Sequence, residues 1–270
     1  MKITALVENT ASAENTAGGG LKTVHGLSLY IETQKHKILF DAGPDETLFG
    51  NSEKLGIDLR QVDIVILSHG HYDHGGALGR LLEINGGAKV YAQKKAFEKH
   101  YSKRLFRKAS IGVDAGLLTH QQVVPLEGDH VIDDELTLFT TPNTEKHYSN
   151  ANKTLRTDAG KDDFTHEQNL IITGETNVLI LGCGHAGVVN ILERAAEYNP
   201  KVCVGGFHLW NPVTKRTVPD ELLEGIAREM AKYETRFYTC HCTGREAYEA
   251  FAEKLPDMRY LSCGETIELP

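Results

Sequence analysis

Residues 68–76 read Ser68-His69-Gly70-His71-Tyr72-Asp73-His74-Gly75-Gly76. Four potential metal ligands lie within six positions of this stretch, namely His69, His71, Asp73 and His74. The apolar run at 62–67 precedes them and predicts a buried strand that ends at the turn. Imidazole and carboxylate together favour zinc, manganese or iron over calcium or magnesium. The alternative is a His-rich surface turn, and the density of donors argues against it.

This turn alone cannot complete two metal sites, so further ligands must come from elsewhere in the chain. His185, His208 and His241 each follow a predicted strand. Because ligands collect at strand ends in layered α/β folds, we expect these histidines to meet the turn at one cleft. We predict that His185 and His241 are metal ligands. For His208 two interpretations remain open: a general acid or substrate contact, or a hydrogen-bonded residue beside the metals.

Composition limits the class of protein. With 270 residues and a hydrophobic content of 40%, the chain can bury a sizeable core, and we expect a single domain at 1–270. The formal net charge of −8 argues against broad nucleic-acid binding, which needs a basic surface. We therefore expect a small-molecule substrate and no nucleic-acid partner.

The sequence favours a cytoplasmic location and no membrane partner. It has no run of about 18 apolar residues, the length that a transmembrane helix needs. The stretch at 1–9 lacks the long apolar core of a signal peptide and predicts a strand instead. The five cysteines show no disulfide framework, which suits a reducing compartment.

Short apolar runs alternate with helical patterns along most of the chain, which indicates an α/β fold. The predicted strands are 3–7, 27–32, 37–40, 64–67, 89–92, 169–173, 177–181, 201–207, 235–240 and 259–263. The predicted helices are 45–55, 77–84, 188–198, 220–233 and 246–255. The Asn199-Pro200 pair predicts the end of the third helix.

The middle of the chain is less regular. We predict a helix at 94–106, followed at 109–118 by a mobile loop that overhangs a cleft. The polar stretch from Pro142 to Phe164 has no apolar period and predicts a loop.

The remaining histidines are predicted to lie outside the metal site. His25 precedes a strand and is interpreted as a structural or cleft-wall residue. The others lie in polar surroundings or beside the long loop, and we place them at the surface: His36, His100, His120, His130, His147 and His166. For His147 and His166, contact with a substrate is the alternative.

The turn at 69–74 resembles the H-x-H-x-D-H signature of the metallo-β-lactamase superfamily. The segments at 25–32 and 38–43 look like the opening strand pair of that fold. Two later segments, 182–190 and 240–244, are similar to the branch that includes 7,8-dihydropterin-6-methyl-4-(β-D-ribofuranosyl)aminobenzene-5'-phosphate synthase. The resemblance covers nearly the whole chain and implies a four-layer αββα sandwich, with two mixed β-sheets flanked by helices.

The resemblance also implies two divalent transition-metal ions, with zinc as first choice and manganese or iron as alternatives. One metal would be held by His69, His71 and His185, and the second by Asp73, His74 and His241. A metal-bound hydroxide would attack a carbonyl or phosphoryl centre, so Ser68 need not be a nucleophile. Asp73 and His208 are the candidates for a catalytic role, and Asp41 would orient a metal-bound histidine.

The sequence departs from the superfamily pattern in two places. Thr141-Pro142-Asn143 has no adjacent histidine, and Cys183 follows Gly182 where many relatives have a metal-bridging aspartate. Cys183 either packs the strand end or binds metal as a thiolate, and we favour packing. Cys240 and Cys242 flank His241 and are predicted to be core residues that point away from it.

These residues favour a dinuclear metal hydrolase of a small phosphorylated or ester substrate. A synthase-like transferase acting on a pterin or ribofuranosylaminobenzene phosphate would use the same residues and remains the alternative. A di-iron redox site is disfavoured because that branch has glutamate where this chain has His71. The sequence shows neither the basic arm nor the inserted domain of nuclease relatives, and a complete ligand set argues against a non-catalytic module.

Overall fold

The computed structural model describes residues 1–12, 15, 20–104, 107–142 and 144–270. The chain divides into two compact units. The first unit contains Met1–His100, Ser110–Glu127 and Leu261–Pro270, and the second contains Tyr101–Ala109 and Gly128–Tyr260. That the two units fold as one domain at 1–270 stays a prediction.

A mixed sheet of seven strands forms the centre of the first unit. Its strands are β1 (Lys2–Val7), β2 (Ser28–Glu32), β3 (Lys37–Phe40), β4 (Ile64–Leu67), β5 (Lys89–Gln93), β8 (Val123–Leu126) and β20 (Thr266–Glu268). They are ordered β20-β1-β2-β3-β4-β5-β8. Pairing is antiparallel from β20 to β3 and parallel from β3 to β8. The parallel half delivers the ends of β3 and β4 to the same edge of the sheet.

Among the described residues of the first unit, the α-helices are α1 (Thr47–Lys54), α2 (Tyr72–Gly75) and α3 (Leu78–Ile84). Leu48 of α1 and Leu81 of α3 are buried in one apolar cluster with Leu39, Val65 and Val90 of the sheet. All four residues of β4 are buried, as expected for an apolar strand covered on both faces.

A second mixed sheet of seven strands forms the centre of the second unit. Its strands are β9 (His130–Val131), β10 (Leu136–Phe139), β13 (Asn169–Ile172), β14 (Val178–Ile180), β15 (Val202–Gly205), β18 (Arg236–Thr239) and β19 (Arg259–Tyr260). They are ordered β19-β18-β15-β14-β13-β10-β9. The pairs from β14 to β19 are parallel, and those from β9 to β14 are antiparallel.

The helices of the second unit are α4 (Val188–Ala195), α5 (Asp220–Met230) and α6 (Arg245–Ala252). They bury one apolar cluster with the sheet, which includes Phe207, Phe237 and Phe251. A short 3-10 helix, Ala196–Tyr198, extends α4 and ends at Asn199, whose φ of 45° is left-handed. The predicted helix end at Asn199-Pro200 is thereby confirmed.

Two smaller sheets lie outside the seven-stranded ones. One consists of β6 (His100–Arg104), β7 (Arg107–Ser110), β11 (Leu155–Thr157) and β12 (Gly160–Lys161), in the order β12-β11-β6-β7. The other pairs β16 (Trp210–Asn211) with β17 (Arg216–Thr217). Within the described residues, no helix is long and apolar enough to cross a membrane.

The expected helix at 94–106 is wrong. Only Lys94–Phe97 is helical, as a 3-10 turn, and β6 follows, while 105–106 lie outside the described residues. In β6, His100 and Ser102 are buried and Tyr101 and Lys103 are more exposed. This two-residue period is that of a strand, and the run of charged and aromatic residues concealed it.

The two predicted loops contain regular structure. A 3-10 helix at Ala115–Thr119 occupies part of 109–118, whose mobility stays a prediction. The stretch from Pro142 to Phe164 contains a 3-10 helix, Asn150–Thr154, as well as β11 and β12. The short strands β8, β10 and β20 were not predicted.

Gly205 provides a test of the packing between β14 and β15. Its φ is 142°, and a Cβ added there would lie 2.2 Å from the carbonyl oxygen of Leu181. Gly205→Ala should lower the free energy of unfolding by at least about 2 kcal/mol, because a strained backbone and a steric overlap combine. Urea denaturation measures this change.

Gly174→Ala is the matched control. A Cβ at Gly174 would meet its nearest atom at 4.0 Å. Its unfolding midpoint should stay near that of the parent protein. Equal midpoints for the two variants would contradict the geometry at Gly205.

Candidate metal centre

The turn at 68–76 leaves the end of β4 and enters α2, for which His71 is the N-cap. A Cβ at Gly70 would lie 2.2 Å from the carbonyl oxygen of Ala96, so only glycine fits this position. The segment at 111–113 fixes the turn from the other side. The Tyr72 N–H donates to Ile111 O at 2.8 Å, and the Val113 N–H donates to Gly70 O at 3.2 Å.

The structure brings the four predicted ligands of this turn together. The ring centroids of His69 and His71 are 4.6 Å apart, and those of His69 and His74 are 4.2 Å apart. Asp73 Oδ2 lies 3.8 Å from His74 Nε2. All four side chains are buried. Three imidazoles and one carboxylate at these distances form a donor set that suits zinc or a similar transition metal.

The Asp41 side chain fixes His74 directly and His69 through Ser68. Its carboxylate is buried, and its Oδ2 lies 2.6 Å from His74 Nδ1. The Ser68 N–H donates to Asp41 Oδ1 at 2.7 Å, and the Ser68 hydroxyl donates to Oδ2 at 2.7 Å. The expectation that Asp41 orients a candidate ligand is confirmed by these contacts.

The same network sets the tautomers of His69 and His74. The Asp41 carboxylate can only accept, so His74 Nδ1 carries the proton. Ser68 gives its single hydroxyl proton to Asp41, so His69 Nδ1, 2.8 Å from Ser68 Oγ, must donate to that oxygen. In both rings Nε2 therefore keeps its lone pair for a metal.

His25 lies beside the turn, as a cleft-wall residue would. Its Nε2 is 3.3 Å from Asp73 Oδ2. The imidazole and the carboxylate attract each other whenever His25 is protonated, which holds Asp73 in place.

His100 was predicted to be a surface residue, and this is wrong. Its side chain is buried, and its ring centroid lies 5.6 Å from that of His71 at 78°. Its Nε2 is 3.2 Å from the carbonyl oxygen of Lys95. The lysines around it in the sequence suggested exposure, but the alternation along β6 turns His100 inward. His36, His120 and His130 are partly exposed, as predicted.

In the second unit, His185 is held by Asn152 and Phe164 of the long polar segment and by Glu167, which follows that segment. Its Nδ1 lies 2.9 Å from Asn152 Oδ1, and Asn152 Nδ2 donates to His185 O at 2.9 Å. Glu167 accepts the N–H groups of His185 and Ala186 at 2.7 and 2.8 Å. The Phe164 ring stacks on the imidazole at 4.6 Å and 3°. Since Asn152 Oδ1 can only accept, His185 Nδ1 is protonated and Nε2 faces away as a potential ligand.

His208 adjoins His185 on its other side, with ring centroids 4.1 Å apart. Its φ is 46°, a left-handed value, and Ser149 Oγ donates to its carbonyl oxygen at 2.5 Å. Both ring nitrogens are buried, and neither forms a hydrogen bond with any described residue. Ligand atoms of His185, His208 and Cys183 lie within 4.8 Å of one another. A buried imidazole without a hydrogen bond is costly, and a nearby metal or substrate would satisfy it.

A second group in this unit contains His241, Cys183 and Cys242, whose ligand atoms also lie within 4.8 Å of one another. Cys240 and Cys242 are buried, as predicted, but Cys242 does not point away from the ligand atom of His241. The reason is local, because β18 ends at Thr239 and His241–Thr243 form a 3-10 turn rather than a strand. That Cys183 is unliganded stays a prediction.

The two thiols share a polar environment. Burial acts to raise the pKa of Cys242, but its contact with Cys183 and the neighbouring His241 imidazole favour the thiolate, so the pKa lies well below its usual value. The His208 N–H also points at Cys242 Sγ, at 3.3 Å. The Cys203 thiol is also buried, and this burial raises its pKa.

His166 was predicted to lie at the surface and is buried instead. Its Nε2 lies 3.2 Å from Asp162 Oδ1, and its ring lies beside that of Phe164. The spacing Asp162-x-Phe164-x-His166 was the available signal, because residues four apart can pair in a tight turn. His147 is partly exposed, as predicted.

Comparison with known proteins agrees with these observations. The family model of the metallo-β-lactamase superfamily matches residues 21–177. An uncharacterised protein of Methanocaldococcus jannaschii is 31% identical over 244 residues, which cover 87% of this chain and 90% of the relative. The 7,8-dihydropterin-6-methyl-4-(β-D-ribofuranosyl)aminobenzene-5'-phosphate synthase of the same organism is 28% identical over 268 residues, with 90% of each chain covered.

Among solved structures, a metal-dependent hydrolase of the β-lactamase superfamily matches with a TM-score of 0.82 and 28% identity. The match covers 100% of this chain and 99% of that structure. These similarities define an α/β metallo-β-lactamase fold with mixed sheets, which confirms the expected fold class. The chain belongs to the metallo-β-lactamase superfamily, and its predicted resemblance to the synthase branch is also confirmed.

Asp41 offers a direct test of the network beneath the turn. Asp41→Asn removes the negative charge that fixes His74 and, through Ser68, His69. Metal affinity should fall about 10- to 100-fold, the usual effect of losing such a supporting contact. Competition with a chromogenic chelator measures the affinity.

Asp63→Asn is the matched control. Asp63 also contacts an imidazole, that of His36 at 2.9 Å, but on an exposed surface. Its metal affinity should equal that of the parent protein. An equal loss in both variants would contradict the role given to Asp41.

Proposed function

We propose that this protein is a dinuclear metal-dependent hydrolase of a small phosphorylated or ester substrate. The observation that carries the proposal is the buried donor set of the 68–76 turn, in which the network around Asp41 leaves Nε2 of His69 and His74 for metal. A core of three buried imidazoles has no structural advantage over an apolar core, because burying polar groups is costly. Membership of the metallo-β-lactamase superfamily favours metal-dependent hydrolysis as the function of these imidazoles.

The ligand assignment follows the resemblance. One metal would be held by His69, His71 and His185, and the second by Asp73, His74 and His241. In the first unit, the short distances from the His69 ring to those of His71 and His74 support this assignment. In the second unit, the fixed tautomer of His185 supports it. Zinc is the metal we propose, since imidazole and carboxylate donors suit it.

When bound, the metals would supply a water of lowered pKa as nucleophile and stabilise negative charge on oxygen. The residues of the chain position and protect this chemistry. His25 holds Asp73, and Asp41 with Ser68 holds the imidazoles. His208 is the candidate to exchange a proton with the leaving group at Nδ1 or Nε2, because neither atom is used by a described neighbour.

Ser68 is proposed to be a positioning residue. Its hydroxyl proton is given to Asp41, and its oxygen accepts from His69. A hydroxyl committed in this way is not available to attack a substrate.

Cytoplasmic location and the absence of a nucleic-acid partner are also proposed, in keeping with five cysteines that form no disulfide and with the net charge of −8.

A synthase-like transferase is the second candidate. The observation that favours it is the 28% identity with the named synthase over 90% of both chains. The same ligands would serve both reactions. Incubation with phosphate monoesters, diesters, lactones and thioesters in water, with and without an acceptor amine, separates them: product that forms only with the acceptor favours the transferase.

Metal content tests the dinuclear site. Elemental analysis of protein purified without chelator should give two transition-metal ions per chain. His185→Ala and His241→Ala should each lower that content by about one ion, because three protein ligands are the usual number for a catalytic zinc. A content consistently below one ion in the parent protein would contradict the proposal.

His120→Ala and His130→Ala are the controls, since both residues are partly exposed and outside every potential ligand group described here. They should keep the parent content. Equal losses at all four positions would overturn the assignment.

Ser68→Ala separates positioning from nucleophilic attack. At saturating metal the variant should retain most of its turnover, while its metal affinity should fall about 10- to 100-fold. Mass spectrometry of the protein quenched during turnover should show no covalent adduct. An adduct on Ser68, or complete loss of turnover at saturating metal, would contradict the proposal.

A further inference from the structure

The small sheet formed by β12, β11, β6 and β7 is the feature that the proposed function leaves unexplained. We propose that it binds a phosphate group that anchors the substrate beside His185. This inference rests on the proposed function and specifies its substrate: a small molecule that bears a phosphate monoester.

The sheet is strongly basic in an acidic protein. The sequences of its strands are HYSKR, RKAS, LRT and GK, which contain no aspartate or glutamate. The formal net charge of the whole chain is −8. Five of its cationic side chains are at least partly exposed: Lys103, Arg107, Lys108, Arg156 and Lys161. Positive charge is thus concentrated on one element of the second unit.

No described carboxylate forms a direct ion pair with these cations, and the acidic side chain of the β11–β12 turn, Asp158, is hydrogen-bonded to Tyr101 of β6. Several surface cations elsewhere pair with acidic neighbours, as Lys94 does with Glu127 at 3.2 Å and Arg194 with Glu197 at 2.6 Å. Within the described part of the chain, none of the five cations of the sheet forms an ion pair. Lys108 lies over the Tyr101 ring at 5.2 Å, and Arg156 donates only to backbone carbonyl oxygens. Clustered cations repel one another unless an anion joins them.

The β11–β12 hairpin is fixed to His185 at both ends. Asn152, which bonds His185 Nδ1, precedes the first residue of β11 by three positions. Phe164, which stacks on the same imidazole, follows the last residue of β12 by three positions. Three residues span at most about 10 Å, so the basic strands begin and end within that reach of the residues that hold His185. A substrate at His185 therefore has the basic sheet as a neighbour.

A phosphate monoester fits this surface better than a nucleic acid. Arginine and lysine bind phosphate through charge-assisted hydrogen bonds, and the sheet offers several such donors. The strands are only two to five residues long, which limits the contact to one or two phosphates. An extended polyanion would also lie against the acidic remainder of the chain, which opposes its binding.

Nuclear magnetic resonance of the metal-loaded, isotope-labelled protein tests the proposal with ribose 5-phosphate and ribose, which differ only by the phosphate. Ribose 5-phosphate should shift the amide signals of β6, β7, β11 and β12, and ribose should not. The double variant Lys103→Gln/Lys161→Gln should bind ribose 5-phosphate about tenfold more weakly, because it loses two of the charged donors that would hold the phosphate. Its metal content should be unchanged.

Lys201→Gln is the control variant, because Lys201 is in the same unit and pairs with Glu234 at 3.1 Å. Its affinity for ribose 5-phosphate should match that of the parent. The proposal would be overturned if ribose shifted the same amide signals as ribose 5-phosphate, or if only the signals of the metal ligands shifted. It would also be overturned if the double variant bound ribose 5-phosphate as tightly as the parent protein. Tighter binding of a single-stranded oligonucleotide at the same amides would replace the phosphate monoester by nucleic acid. Phosphate binding to a parent protein that holds no metal would contradict the proposed hydrolase and leave the anion site standing.

Discussion

The buried carboxylate of Asp41 connects the fold of the first unit to its candidate site. Asp41 directly follows β3, and Ser68 directly follows the parallel neighbour β4, so the sheet itself brings the two together. The carboxylate accepts from Ser68 N, from the Ser68 hydroxyl and from His74 Nδ1. A buried charge with fewer partners would be strongly unfavourable, so this network constrains the whole 68–76 turn.

Backbone strain accompanies these contacts. Asp41, Phe164, His208 and His241 all have left-handed φ values between 46° and 61°. Such conformations cost on the order of 1–3 kcal/mol for residues other than glycine and persist only where the surroundings enforce them. Each of these residues is a candidate ligand or contacts a histidine of the site. The strain thus coincides with the proposed metal chemistry and is offset by hydrogen bonds such as that from Ser149 to His208.

Sequence predicted the parts of the fold in which a strong local pattern agrees with the final structure. The apolar run before Ser68 became β4, and the helix after Gly187 ended at Asn199, because burial and capping are both local signals. The density of donors at 69–74 likewise identified the turn. The tautomers of His69 and His74 could not be predicted, because they depend on Asp41, which is distant in sequence.

His100 and His166 show where sequence reasoning failed. Both lie among charged residues, which are normally exposed, yet each is buried by pairing and topology. His100 turns inward because β6 alternates, and His166 because Asp162 accepts its hydrogen bond. The basic sheet was not predicted either, because its four short strands come from segments that lie far apart in the chain.

Anomalous diffraction from crystals of protein purified without chelator tests the central claim most directly. Data collected on both sides of the zinc absorption edge locate the metals and identify them. We predict two zinc peaks: one bonded to His69, His71 and His185, the other to Asp73, His74 and His241, at about 2.0–2.2 Å from each nitrogen or oxygen ligand. No peak near the 68–76 turn, or a single zinc without His69 or His74 as ligand, would contradict it.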